Sequence, residues 1–120
     1  MGMDGAQRIA AERLRQIDKE GWTPEHDDEH CDGELALAAC CYAAPVLLYR
    51  MGEPANRVEF SDPWPWDARF DGRPHPEHGN CVAPNDSFHI SRPDRIRQLE
   101  KAGALIAAEI DRLLRRKSAT

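Results

Sequence analysis

A chain of 120 residues with 41% hydrophobic and 31% charged side chains is sized and composed for one globular domain, one that buries only a modest core unaided. Its formal charge of −5 excludes a general binder of nucleic-acid polymer, which needs a strong basic excess, and leaves small anions to local Arg and Lys clusters. No apolar leader opens the chain and no run of about 18 apolar residues spans a bilayer, so a cytoplasmic protein with no membrane partner is expected.

The first helix is expected from Gly5 to Glu20, with Asp4 as its cap and Gly21 as its stop. Ala6, Ile9, Ala10, Leu14 and Ile17 form the face to be buried, while Arg8, Glu12, Arg15 and Lys19 face water. Trp22, Thr23 and Pro24 then read as an extended turn, with the Trp22 indole anchored on the core. A second helix runs from about Asp32 or Gly33 to Tyr49. It is apolar nearly all round from Leu35 to Ala44 and kinked at Pro45, with Val46 to Tyr49 as a displaced last turn.

Residues 53–91 hold most of the nine prolines and read as a long irregular insertion with at most a turn of helix. Within it, Trp64-Pro65-Trp66 carries too much apolar surface to stay in water and folds back on the core or covers a ligand. The stretch from Gly72 to Asn85 reads as mobile. The last helix is capped by Ser91, with Pro93 and Asp94 in its first turn. Ile96, Leu99, Gly103, Ile106, Ile110 and Leu113 alternate steps of three and four, the seam of a helix packed lengthwise on a symmetry mate or on the second helix. Gly103 in that seam implies close approach of another backbone.

The expected fold is therefore all-α: three main helices and a long Pro-rich loop, in a homodimer or higher homo-oligomer. Four cysteines include the adjacent Cys40 and Cys41 in a helix, which is no disulfide framework. With Cys31 and Cys81 they read as buried thiols acting as small hydrophobes.

Chemistry concentrates in two places. The run from His26 to Asp32, followed by Glu34, contains acids that suit a helix N-terminus, Asp28 or Asp32 being the cap. The alternative is a metal site of His26, His30, Asp27 and Glu34, since imidazole and carboxylate together suit zinc, manganese or iron. His75, His78 and Cys81 offer a second candidate set. Arg92, Arg95, Arg97 and Lys101 at the start of the last helix either pair with Asp94 and Glu100 or add bidentate contacts to a phosphate. Ser-His-Asp order, a glycine-rich phosphate loop and a Cys-x-x-Cys pair are all missing from the sequence.

Three segments taken together, Glu20 to Asp28 leading into Gly33-Glu34-Leu35-Ala36, then Trp64-Pro65-Trp66, then Lys101 to Ile106 through Glu109-Ile110, resemble a widespread family of small bacteriophage and prophage proteins. The resemblance implies action inside the bacterial host cell on a nucleotide. One form is like the viral anti-defence proteins that sequester immune nucleotide signals without turnover, which need no cofactor. The other is like the all-helical MazG-like nucleoside triphosphate pyrophosphohydrolases, which hold magnesium between paired carboxylates. This chain departs from the second pattern, because Leu37 and Arg112 stand where the partners of Glu34 and Glu109 would be acids.

The expected ligand site collects Trp22, His26, Asp27, Asp28, Glu34, Trp64, Trp66, Arg95, Arg97 and Lys101. There a tryptophan stacks on a base, the cations hold phosphate, and the carboxylates accept hydrogen bonds from ribose or adenine. A further alternative is an inhibitor of a host protein that acts through its surface, with the tryptophan loop as anchor.

Overall fold

The computed structural model describes residues 2–45, 48–53, 57–73 and 91–116. Helix α1 spans Gly5–Glu20 and is closed by a reciprocal cap, in which the Asp4 carboxylate accepts from the Gln7 amide and the Gln7 side chain accepts from that of Asp4. Gly21 ends it in the left-handed conformation at φ 73°.

Where an extended turn was expected after Trp22, a short helix α2 forms over Pro24–Asp28. Proline restricts the residue before it, and Thr23 is indeed extended. Pro24 itself is pre-set for a first helical position, and the Thr23 hydroxyl accepts from the His26 amide. The restriction that suggested a loop therefore produces a cap.

Helix α3 covers Glu34–Ala43 and stops at the extended Ala44 instead of kinking at Pro45, because the residue before a proline is steered out of the helical region. Neither Asp28 nor Asp32 caps it; Gly33 does, at φ 83° and without a side-chain bond. Leu48 and Tyr49 are not helical, and Val46 and Leu47 lie outside the described residues. A small antiparallel hairpin follows, with β1 (Arg50–Gly52) paired to β2 (Glu59–Ser61) in the register Arg50 to Ser61, Met51 to Phe60, Gly52 to Glu59. A 3-10 turn covers Ala68–Phe70. The mobile reading of the loop and the His75, His78 and Cys81 set fall on residues 74–90, outside the described ones. Helix α4 runs over Arg92–Arg115 from the expected Ser91 cap. The fold is thus largely helical, and no described helix is long and apolar enough to cross a membrane.

The core lies between α3 and α4, where Leu35, Ala38, Ala39 and Tyr42 meet Ala102, Leu105 and Ala108. Alanine on both sides brings the axes close, which small contact residues permit. This face of α4 is not the expected seam. Leu99, Ile106, Ile110 and Leu113 point outward, Ile96 is half-buried, and Gly103 is closed over by the Ile9 side chain of α1 and not by a backbone.

Helix α1 also turns a different face inward from the one expected. Glu12, Arg13 and Gln16 are buried, Ile9 and Ile17 half-buried, and Ala6, Ala10 and Leu14 exposed. The reason is charge partners across the interface. Glu12 is held by Arg15 at 2.7 Å and by Arg97 of α4 at 2.6 Å, and the fully buried Asp27 meets Arg13 at 2.6 Å. Buried charges persist where they are paired, and losing one partner of such a pair costs about 3–5 kcal/mol. Among the cysteines, Cys41 is buried as expected, whereas Cys31 and Cys40 are exposed.

Candidate ligand cleft

A chain of rings connects α2, α3 and the segment before the 3-10 turn. Trp22 stacks on His26 at 6.1 Å and 5°, His26 meets His30 edge-on at 4.9 Å, and His30 lies 5.2 Å from Trp66. Trp66 continues to Trp64 at 5.5 Å, and Trp64 to Tyr42 at 5.5 Å, both edge-to-face, the geometry aromatic quadrupoles favour. Both tryptophans of the Trp-Pro-Trp triplet are half-buried against the core, so they form a wall and not a free anchor. The segment carrying them is tied down by Arg73, whose guanidinium bonds Asp71 and Asp62 and lies 5.3 Å over the Trp64 ring.

Each imidazole in that chain has a carboxylate at Nδ1: Asp27 at 3.4 Å for His26 and Glu34 at 2.9 Å for His30. Burial raises the Glu34 carboxyl, but His30 and the Asp32 amide outweigh it and hold the group below the usual carboxylate range. Among the described residues, no three His, Cys, Asp or Glu side chains gather as a metal site would require.

On the far side of Trp22 opens a cleft of about 170 Å³ lined by α1 (Glu12, Arg15, Gln16, Glu20), Tyr42 of α3, Arg69, Phe70 and Gly72, and Lys101 of α4. Two of its groups are incompletely used. The Gln16 amide is almost wholly buried; its nitrogen donates to Glu12 at 3.2 Å, and its oxygen has no donor among the described residues. Lys101 is half-buried, and its ammonium makes no ion pair with any described residue, lying instead 5.6 Å over the Tyr42 ring. Burial lowers its pKa, Arg97 and Arg15 lower it further, and Glu12 and Glu20 offset this only in part.

Gly72 makes room for these groups. A Cβ there would sit 2.8 Å from Lys101 Nζ and 3.1 Å from the Tyr42 hydroxyl. The Gly72 amide donates to that hydroxyl at 3.0 Å, and its carbonyl accepts from Gln98 at 3.3 Å, so the strap is pinned to both α3 and α4.

The structure brings Trp22, His26, Trp64 and Trp66 into one ring cluster, attaches Glu34 through His30, and places Lys101 in the adjoining cleft with Trp22. It does not bring the other residues there. Arg95 donates to the carbonyls of Tyr42, Ala43 and Ala44, closing the C-terminus of α3. Arg97 is shared by Glu12 and Glu100. Asp27 touches the cluster only through His26 and gives its other oxygen to Arg13, and Asp28 pairs with Arg115 at 2.7 Å beside a wider, more open groove of about 510 Å³. That groove is rich in arginine, but Arg112 and Arg115 are already held by Glu109 and Asp28.

Sequence reasoning missed Gln16, Tyr42, Phe70 and Gly72. Tyr42 had a signal, as the one hydroxyl in an apolar helix, whose oxygen needs a partner when buried. No family model, no curated protein and no solved structure matches the chain.

Proposed function

We propose that the chain binds a small phosphorylated ring compound of the nucleotide class in the cleft beside Trp22 and holds it without turnover. The observation that carries this reading is Lys101, a half-buried ammonium that makes no ion pair with any described residue, in a cleft walled by Trp22, Tyr42 and Phe70 whose carboxylates, Glu12 and Glu20, are held by Arg15 and Arg97. Leaving a cation partly dehydrated and unpaired costs free energy that an anionic ligand returns. The free oxygen of Gln16 supplies an acceptor for an amine or hydroxyl.

The cleft is smaller than the roughly 300–1,000 Å³ of sites that enclose a whole drug-sized ligand, so it suits one end of a nucleotide, with the remainder over the open rim. Holding is favoured over hydrolysis because Asp27, Glu34 and Glu109 each already face a cationic or imidazole partner, where the MazG-like enzymes would need carboxylates bridging metal. The resemblance to phage proteins makes bacterial immune nucleotides the first ligands to try.

Calorimetric titration with mononucleotides, cyclic dinucleotides and inorganic phosphate tests the proposal, with small-molecule mass spectrometry of the mixture afterwards. Lys101→Met should weaken nucleotide binding by roughly 10- to 100-fold, the range for a hydrogen bond to a charged group. A nucleotide that binds wild type and Lys101→Met equally would remove the cleft from the reading. Recovery of a cleaved product would replace sequestration with hydrolysis, and no binding to any ligand would discard both.

A further inference from the structure

Helix α4 has two apolar faces, and the fold uses one. Ala102, Leu105 and Ala108 are buried against α3, while Leu99, Ile106, Ile110, Leu113 and Leu114 are 44%, 48%, 51%, 50% and 78% exposed. Residues 102–108 read Ala-Gly-Ala-Leu-Ile-Ala-Ala, with no polar side chain at any position. A helix segment apolar all round is one buried all round, yet the described elements that pack on α4, namely α3, α1 and α2, leave the side carrying Leu99, Ile106, Ile110 and Leu113 about half exposed.

We infer that the outer face of α4 is a self-association surface whose occupant is the same face of a second copy of this chain. The spacing argues for a helix as the occupant: Ile9 of α1 already covers Gly103 and Ile96 is half-buried, but the exposed Leu99, Ile106, Ile110 and Leu113 keep the a/d spacing of the seam, which presents a straight stripe to another helix lying lengthwise. The area argues for a copy. Five part-exposed branched side chains put roughly 400 Å² of apolar surface on one face, the size at which a patch on a monomer is commonly functional. Doubled across a two-fold axis this becomes roughly 800 Å² before the rim contributes, close to the 1,000 Å² that a specific interface clears. A two-fold pairing also requires the patch to be its own complement, and an antiparallel arrangement centred on Ile106 meets that condition. It sets Leu99 against the partner's Leu113 and Ile106 against the partner's Ile106, and it places opposite helix-dipole ends together. The short hydrophobic trough of Ile9, Ile96 and Leu99 beside α1 extends the same face at one end.

Sedimentation equilibrium of the full chain decides the matter. The wild type should sediment as a dimer, at twice 13.5 kDa, from low micromolar concentration upward. Ile106→Glu/Ile110→Glu should sediment as a monomer with an unchanged far-ultraviolet spectrum, since both side chains are already half in water. Leu14→Glu, at an exposed leucine of α1, should remain a dimer. A wild type that stays monomeric at 100-fold higher concentration overturns the inference and leaves the face to another occupant. So does a dimer that survives the double substitution. To fix the register, Ile106→Cys is introduced where Cys31, Cys40 and Cys81 are serine. Mild oxidation should join two chains through residue 106, and failure to cross-link while the dimer persists would overturn the antiparallel centring.

Discussion

Replacing Gly103 with alanine sets two physical effects of opposite sign against each other. In the middle of an exposed helix the change should stabilise by about 1 kcal/mol, because glycine loses more conformational freedom on folding. In this fold the new Cβ would stand 2.4 Å from Cδ1, 2.6 Å from Cγ1 and 3.1 Å from Cγ2 of Ile9, which is most of that side chain and not a flexible tip alone. Overpacking of this kind costs about 1–3 kcal/mol. Because Ile9 is only half-buried and can rotate partway out, the net expectation is a loss of about 1 kcal/mol, several degrees in the thermal midpoint of a domain this size. Chemical denaturation at one fixed protein concentration measures it, and the decisive comparison is a double-mutant cycle with Ile9→Ala. If the collision is the cause, the two substitutions should couple favourably by about 1 kcal/mol or more, with Ile9→Ala less damaging in the Gly103→Ala background than alone. Gly103→Ala as stable as wild type, or a cycle that adds to zero, would refute the seating of Ile9 on Gly103.

Two further expectations concern titrating groups. Burial raises the Glu12 carboxyl, but the hydrogen bonds and charges of Arg15 and Arg97 outweigh it and leave the group below its ordinary value. A depressed carboxyl contributes stability that is present above the unfolded value of about 4.3 and is lost as pH falls through the folded value. Glu12→Gln should therefore lower the unfolding midpoint at neutral pH and flatten its decline on acidification, whereas a curve parallel to wild type would show that Glu12 contributes nothing to the acid limb. Burial pushes the Cys41 thiol up to about 11, so iodoacetamide at pH 8 should label Cys31 and Cys40 in the native protein and reach Cys41 only with denaturant. Equal native labelling at all three, read by peptide mass spectrometry, would contradict the packing of α3 on α4.

Local signals in the sequence placed the helix ends well wherever a single residue decides them: Asp4 and Gly21 for α1, Ser91 for α4. They failed where the outcome depends on a partner remote in the chain. The inward face of α1 could not be read from polarity, because Glu12 looks like a solvent residue until Arg97, 85 positions away by its number, is known to lie beside it. The same holds for Arg95, which looked free for a phosphate and instead satisfies the carbonyls at the end of α3. In the candidate site, the aromatic members were legible because large rings must be covered somewhere. Gln16 and Gly72 were not, since their significance is the space and the unused atom they leave beside Lys101.

The long helix then reads as an element with two audiences. Its inner side stays small at Ala102 and Ala108, on either side of Leu105, so that α3 comes close enough for Tyr42 to reach Gly72 and frame the cleft. Its outer side is under no such demand from the single chain, yet carries isoleucine and leucine at the positions where an isolated domain would gain solubility from charge. Lys101 belongs to the cleft wall, whereas Ile106 and Ile110 belong to the outer face. The two surfaces are therefore separable by substitution: Ile106→Glu/Ile110→Glu should leave nucleotide affinity unchanged while abolishing the dimer, and Lys101→Met should do the reverse. If the charged pair instead weakened ligand binding as strongly as Lys101→Met does, the cleft would have to be completed by the second copy, and association and binding would be one process.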